Sequence, residues 1–379
     1  MMRLILLTNP LKKMLKDIKK CLKRAYGKVK GKQASRLDNL AKLLYAIIRS
    51  EHCSLQKIGE QLPESTDLES RIKKAKRFLT SKYTDYDSFY LPHLVLLFSW
   101  LKDKEWVFII DGSDVGKDCA TLMVSIAWKN RALPVCWLVR KGNKGHFSVN
   151  AHLEVIQELA KLLPEHGKQI VLLGDGEFDS PELQEYCQDQ GWLYVFKTAK
   201  NTKVNTDKSL DDAFPIGNVY PMENHQYWFA RLYFTKKLFG PVNALVWHHP
   251  KYEEPIYLVS NLEWAKDIMD YYSKRFLIET MFRDIKSSGF NIHKTRLKDP
   301  ERLFNLLIIV AIAFLIIAAF GAFEQQWQHF KAKFARKDRI KQLSVFQIGL
   351  RAFLFCMQNH IKLFPQFSKN FFRYFCVRF

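Results

Sequence analysis

Seven cysteines occur in 379 residues, yet no two stand in a C-x-x-C pair, which argues against zinc-ribbon and thiol-redox chemistry. Their scattered positions (Cys21, Cys53, Cys119, Cys136, Cys187, Cys356 and Cys376) and odd number read as reduced, mostly buried thiols of a cytoplasmic protein. No glycine-rich loop follows a strand in the way that cradles nucleotide phosphates, and no internal repeat is visible. His248 and His249 lack partners at zinc-ligand spacing. The short apolar run Met1 to Leu7 is followed by Lys12 and Lys13 with no small-residue cleavage site, a poor signal peptide. Acid is scarce relative to base: 38 Asp and Glu face 59 Lys and Arg, a net charge of +21. A polyanionic partner is expected, nucleic acid first and an anionic membrane second.

Apolar residues make up 48% of the chain and aromatics 14%, enough for a sizeable core in two or three domains. One run, Leu303 to Phe323, is almost wholly apolar over a length that spans a bilayer. Asn305 and the small residues Ala311, Ala313, Ala318, Ala319 and Gly321 fit a helix enclosed by protein instead, so no membrane span is expected.

Residues 1–100 read as helical and basic, a DNA-binding region with clusters at Lys12 to Lys32 and Arg71 to Arg77; Ser54 to Leu62 could open a helix-turn-helix unit. Strand patterns follow at Trp106–Ile110, Cys119–Trp128 and Leu133–Val139, a meander with a turn at Lys129-Asn-Arg131. A helix over Ala151–Leu163, a strand Gln169–Leu173, a helix Pro181–Gln190 and a strand Trp192–Phe196 complete a mixed α/β unit over 101–198. Residues 199–258 read as a β-rich insertion with strands Gln226–Phe234, Val242–Trp247 and Pro255–Val259. Residues 259–302 carry a long charged helix, and 303–379 form a helical, then basic and Phe-rich, C-terminal region.

That long helix holds Tyr272, Arg275, Glu279 and Lys286 at offsets of three, seven and fourteen. At about 100° per residue the four side chains fall on one narrow face, a lone acid between two bases. Such a face can hold a metal ion on the carboxylate and phosphate on the cations beside it; the plain alternative is a solvated face with i,i+4 pairs. Two strands upstream end in an aspartate beside glycine, Asp111 and Asp175. Ligand sites of open α/β sheets lie beyond strand ends. With Glu279 these acids make three hard oxygen donors suited to Mg²⁺ or Mn²⁺. Two such ions would activate a water or 3′-hydroxyl and stabilise the leaving oxygen.

The order strand-Asp, strand-Asp, helical Glu, with the spacing Y-(2)-R-(3)-E-(6)-K at Tyr272, Arg275, Glu279 and Lys286, resembles the DDE transposases of bacterial insertion sequences. The likeness covers about Arg71 to Arg302. It implies an α/β fold with a ribonuclease H-like mixed sheet flanked by helices, a β insertion between the second and third acids, and helical ends. It implies that Asp111, Asp175 and Glu279 bind the metals while Tyr272, Arg275 and Lys286 grip phosphates of the transposon end. It further implies terminal inverted repeats and target DNA as partners, a homodimer in the synaptic complex and a nucleoid-associated location. Gly176-Glu177 stands where several relatives carry arginine after the second acid. In some relatives an insertion aromatic stacks on a flipped base, for which Trp228, Trp247 and Tyr257 are candidates. Lys294 and Arg296, just past the helix, are further candidates for phosphate contact, and Lys117, Arg140, Lys141, Lys144 and His146 line a loop region that either touches DNA or is simply solvated. Asp114, Glu177 and Asp179 lie near the presumed ligands. A ribonuclease H-like nuclease or resolvase, and a non-catalytic DNA-binding descendant of a transposase, are the alternatives.

Overall fold

The computed structural model describes residues 2–143, 147–164, 167–250, 252–327, 343–359 and 361. Lys144 and His146, the basic stretch Lys331 to Lys341, the tail Phe364 to Phe379 and Cys376 lie outside them. Six helices come first: α1 (Met2–Tyr26), α2 (Gly31–Ser50), α3 (Leu55–Gln61), α4 (Leu68–Leu79), α5 (Tyr86–Phe89) and α6 (Leu91–Trp100). Caps set their starts: the Ser54 hydroxyl accepts the Lys57 amide and the Asp67 carboxylate accepts that of Ser70. In the α3–α4 turn, Glu64 accepts hydrogen bonds from Lys42 of α2 and Lys74 of α4, which ties the three helices together.

The strands follow. β1 (Glu105–Asp114), β2 (Cys119–Trp128) and β3 (Arg131–Lys141) form the expected antiparallel meander. Their apolar runs are buried on both faces, which is why they read as continuous rather than alternating. β4 (Gln169–Gly174) lies parallel to β1, and β5 (Leu193–Lys197) parallel to β4. The helices α7 (Val149–Leu162) and α8 (Pro181–Asp189) supply the crossovers, each started by a serine cap, Ser148 and Ser180. The short β6 (Lys203–Asn205) and β7 (Phe214–Pro215) and the long β8 (Gln226–Phe234), β9 (Phe239–Trp247) and β10 (Ile256–Ser260) belong to the insertion. They continue the same sheet: the order is β3-β2-β1-β4-β5-β10-β9-β8-β6-β7, with β10 antiparallel to β5. A three-stranded meander joined to two parallel crossover strands is the ribonuclease H-like arrangement.

Two expectations need correction. Asp111 does not end its strand: β1 runs on to Asp114, because Gly112, Ser113 and Asp114 find partners in Leu122, Thr121 and Ala120. The charged helix is not continuous either. α9 (Ala265–Tyr272) stops, Ser273–Arg275 make a 3-10 turn, and α10 (Phe276–Ile285) begins, leaving Lys286 as its C-cap. α9 packs on β5, whereas α10 packs across β1, β2 and β3. The junction keeps right-handed helical dihedrals and only tightens to one 3-10 turn between the two packing faces.

α11 (Pro300–Trp327) passes through the middle of the molecule and packs on β3, α2, α4, α5 and the last described helix, α12 (Val345–Gln358). Every residue of its most apolar stretch is buried. Asn305, the polar exception, donates to the Leu79 carbonyl of α4 at 2.9 Å, which satisfies its amide inside the core. The α11–α12 crossing is tight enough to require glycine on both sides: a Cβ on Gly321 would lie 1.8 Å from the Val345 carbonyl oxygen, and one on Gly349 would lie 2.0 Å from that of Ile317.

Candidate active site

β1 and β4 run in the same direction, so their carboxyl ends share one edge of the sheet. Asp111 sits near that end of β1, 1% exposed, its Oδ1 accepting the Gly112 amide at 2.7 Å. Asp175 is the first residue past β4, half-buried, and accepts the Glu177 amide at 3.0 Å. The break after α9 brings the third group to the same edge. Arg275 in the 3-10 turn is buried, and its Nη2 donates to Glu279 Oε1 one turn into α10 at 2.6 Å. Glu279 itself is exposed.

A cleft of about 660 Å³ opens here, lined by Asp175, Gly176, Tyr272, Arg275, Phe276 and Glu279 together with Lys197, Thr198 and the Tyr252–Ile256 segment. Burial pushes the Arg275 guanidinium down, but Tyr272, Glu279 and Asp111 outweigh it, and its net direction is up. Arg275 is thus a fixed cation with both Glu279 and Asp111 in its field. Burial pushes the Tyr272 phenol up to about 12 despite Arg275, so it stays a neutral hydrogen-bonding group. Asp179 is held above the usual carboxylate range by burial, while the Thr198 hydroxyl opposes this by donating to it at 2.6 Å. That bond fixes the backbone at the cleft wall.

The three acids fit Mg²⁺ or Mn²⁺ in donor chemistry: all are hard oxygen ligands, and two border an open, water-accessible cleft. Among the described residues no three His, Cys, Asp or Glu side chains converge closely enough to cage an ion unaided. Glu279 is engaged by Arg275 instead. A site completed by water and substrate phosphate suits magnesium, which dehydrates reluctantly.

Not every residue singled out from the sequence gathers here. Lys286, beyond the end of α10, is absent from the cleft lining. Lys294 and Arg296 line a separate cavity with the α3 end of the helical region. Among the aromatic candidates, Tyr257 is buried at 5% exposure inside β10, hydrogen-bonded between β5 and β9, and its ring belongs to the core rather than to a base-stacking surface. Trp228 and Trp247 are partly exposed on β8 and β9. Trp247 begins a run of rings into the cleft: His249 at 5.0 Å, Tyr252 at 5.6 Å from His249, Phe276 at 6.5 Å from Tyr252, and Tyr272 at 6.3 Å from Phe276. Of the three aromatics that line this cleft, Tyr252 is exposed at 38%, whereas Tyr272 is buried and Phe276 half-buried. Tyr252 lies in a loop with no strand periodicity, so a search of strand aromatics passes over it. Lys197 was missed for another reason, since a lysine ending a buried strand carries no distinguishing pattern. Arg140 is held by Glu154 at 2.7 and 3.0 Å and is less available to DNA than its loop position suggests. Glu177 faces His152 at 3.5 Å and the Phe147 amide rather than the acids.

No curated protein matches the chain. Among solved structures, the Aquifex aeolicus Argonaute structure aligns at 13% identity with a TM-score of 0.24, over 55% of this chain; the chain spans 29% of the Argonaute. A family model described as a transposase DDE domain matches residues 75–316, well over half of the chain, and the protein therefore belongs to the DDE transposases.

Proposed function

We propose that this transposase binds the terminal inverted repeats of its own insertion sequence, cuts the DNA at their ends and joins the freed 3′-hydroxyl to target DNA. One observation carries the reading: Arg275 and Glu279 are paired at the mouth of a cleft that also holds Asp175, on the sheet edge where Asp111 lies. Asp111, Asp175 and Glu279 would hold divalent metal. When bound, the metal supplies activation of the attacking oxygen and stabilisation of the leaving one. Arg275 is positioned to exchange its carboxylate partner for a DNA phosphate, a swap between two anions that its planar donor set accommodates. Tyr272 supports the guanidinium from behind, its ring centroid 5.9 Å from Arg275 Cζ. The match of Tyr272, Arg275, Glu279 and Lys286 to the Y-R-E-K spacing supports assigning the chain to that group of transposases.

Tyr252 takes the stacking role in this reading, beside Trp247, because it lines the cleft. A base or sugar on an exposed ring gains about 1–3 kcal/mol. The helical end contributes the exposed cations Lys73, Lys76 and Arg77 on one face of α4, at the i, i+3, i+4 spacing of a surface a groove can receive. Two protomers would be needed to hold two DNA ends.

The test is Asp175→Ala in the full chain, incubated with a duplex ending in the DNA that flanks the reading frame. Cleavage and joining in Mg²⁺ should vanish while duplex affinity stays within about threefold, since a carboxylate contributes little to phosphate binding. Metal-dependent cutting that survives the substitution would refute the assignment, and cutting by the unaltered chain without joined products would favour a nuclease.

A further inference from the structure

Lys294 and Arg296 have no place in the active-site cleft, yet the fold does not leave them scattered. They line a second cavity of about 500 Å³ together with Thr295 and Leu297 on one side and His52, Ser54, Leu55, Gln56 and Lys57 on the other. One wall therefore belongs to the segment that follows the catalytic helix, and the other to the start of α3 in the helical region. Among the described residues, no carboxylate lines it. Neither Lys294 nor Arg296 forms an ion pair among the described residues, although both are exposed. Lys57 is shared with Glu60 at 2.9 Å, an i,i+3 surface pair of the kind that contributes little.

Two further features are those of an anion site. The Thr295 side chain is 3% exposed, and its hydroxyl has no hydrogen-bond partner among the described residues. A buried hydroxyl without a partner is destabilising unless something arrives to accept its hydrogen bond. His52 Nδ1 accepts the Ser54 amide at 3.0 Å, which leaves the proton of the neutral ring on Nε2 as a donor. Burial first, and then the Lys294 and Lys57 charges, push the His52 imidazole below its usual range, which favours the neutral ring beside those cations.

The position of the cavity names the anion. The Leu297 carbonyl accepts the Lys117 amide at 2.9 Å, and the Lys298 carbonyl lies 3.4 Å from Cys119 Sγ, so this segment is fastened to the β1–β2 turn. That turn lies beyond Asp111, at the same edge of the sheet as the active site. Asn291, just upstream, donates to the Glu51 carbonyl at the end of α2 at 3.0 Å, which secures the other wall. A duplex crossing from the helical region to the catalytic edge would pass over the seam.

We propose that this cavity binds a backbone phosphate of the DNA substrate, gripped from both sides by Lys57 and His52 on the helical region and by Lys294, Thr295 and Arg296 after the catalytic helix. It sets the register between the part of the protein that reads DNA and the part that cuts it. The proposal rests on the DNA-transposing reading above, and the experiment separates the two. Binding of a short mixed-sequence duplex by the full chain is measured by fluorescence anisotropy over a range of salt. Three proteins are compared: the unaltered chain, the Lys57→Gln/Lys294→Gln/Arg296→Gln variant, and a control with Lys102→Gln, Lys104→Gln and Lys161→Gln, exposed cations elsewhere with the same charge change.

Removal of one phosphate contact lowers the log–log salt slope by about 0.9. The cavity variant should show that drop with about a tenfold loss of affinity at low salt, whereas the control keeps its slope. Thr295→Val should weaken binding with the slope unchanged, since the hydroxyl is neutral. Equal slopes in the cavity variant and the control overturn the site. Absence of salt-dependent binding by the unaltered chain overturns the DNA reading beneath it.

Discussion

Glu279 and Asp111 are both carboxylates, but their surroundings assign them different parts. Asp111 is sealed inside a strand, with an amide already on one oxygen, so it is positioned before any ligand arrives. Glu279 stands in the open and is steered by Arg275. The same contrast separates two tyrosines that composition cannot tell apart. Tyr257 is core: Tyr257→Ala should cost about 3–5 kcal/mol of unfolding free energy, the usual loss for a large buried ring, and lower DNA binding only through misfolding. Tyr252→Ala should leave urea unfolding within about 0.5 kcal/mol, as surface changes do, yet reduce affinity for a distorted DNA end by about tenfold. The converse pattern would return the stacking role to the β10 ring. The positions of Asp111 within a strand and Asp175 just past one were legible because each follows an apolar run and precedes glycine, and that of Glu279 from its place in a helical pattern. Exposure could not: Trp228, Trp247 and Tyr257 share a strand pattern and all three strands have neighbours on both sides, yet only Tyr257 is buried.

At the scale of elements, the strands were the most legible part. β2 and β8 match their expected ranges and β4 differs by a single residue: β2 and β4 are buried, unbroken apolar runs, and the largely exposed β8 is legible by its density of aromatics. The break between α9 and α10 was not legible. No proline or glycine lies between Ala265 and Lys286, and the sequence is helix-forming throughout; the turn is imposed by the two parts of the sheet on which the helices pack. α10 is anchored by a buried pair, Asp284 Oδ2 to Arg131 Nε of β3 at 3.1 Å. Burial pushes Asp284 up to about 6 from 3.8, although Arg131 and Arg283 pull the other way. Its folded state therefore prefers the proton: the contribution to stability is full below about pH 4 and is lost as pH rises through about 6. At about 1.4 kcal/mol per pH unit of difference, this amounts to about 3 kcal/mol. Urea unfolding of the unaltered protein against Asp284→Asn should show the unaltered protein losing that much relative to the variant between about pH 4 and 7. Parallel pH profiles would mean that the Arg131 pair compensates the burial in full.

For the whole molecule, the two properties that most suggest a membrane act in different places. α11 is apolar enough to cross a bilayer, with mean hydropathy 3.1 over its richest window, but that window is wholly enclosed by the sheet and by neighbouring helices. A spanning helix needs a lipid-facing side, and here that side is occupied by β3, α2 and α12. The sequence hinted at this through Asn305, whose amide finds the Leu79 carbonyl within the core. The net charge of +21 is a surface property, and it binds polyanions through released counterions. Protein that pellets with a cell's particulate fraction would thus be held by charge. For about 6–10 phosphate contacts, affinity falls about 10³- to 10⁵-fold between about 50 and 200 mM salt. High salt without detergent, or nuclease digestion at low salt, should each bring the protein into the supernatant. Retention through both treatments, with release only by detergent, would mean that α11 leaves the core for lipid. The sheet would then lose the helix against which β3 packs, and the active-site edge could not keep the geometry described.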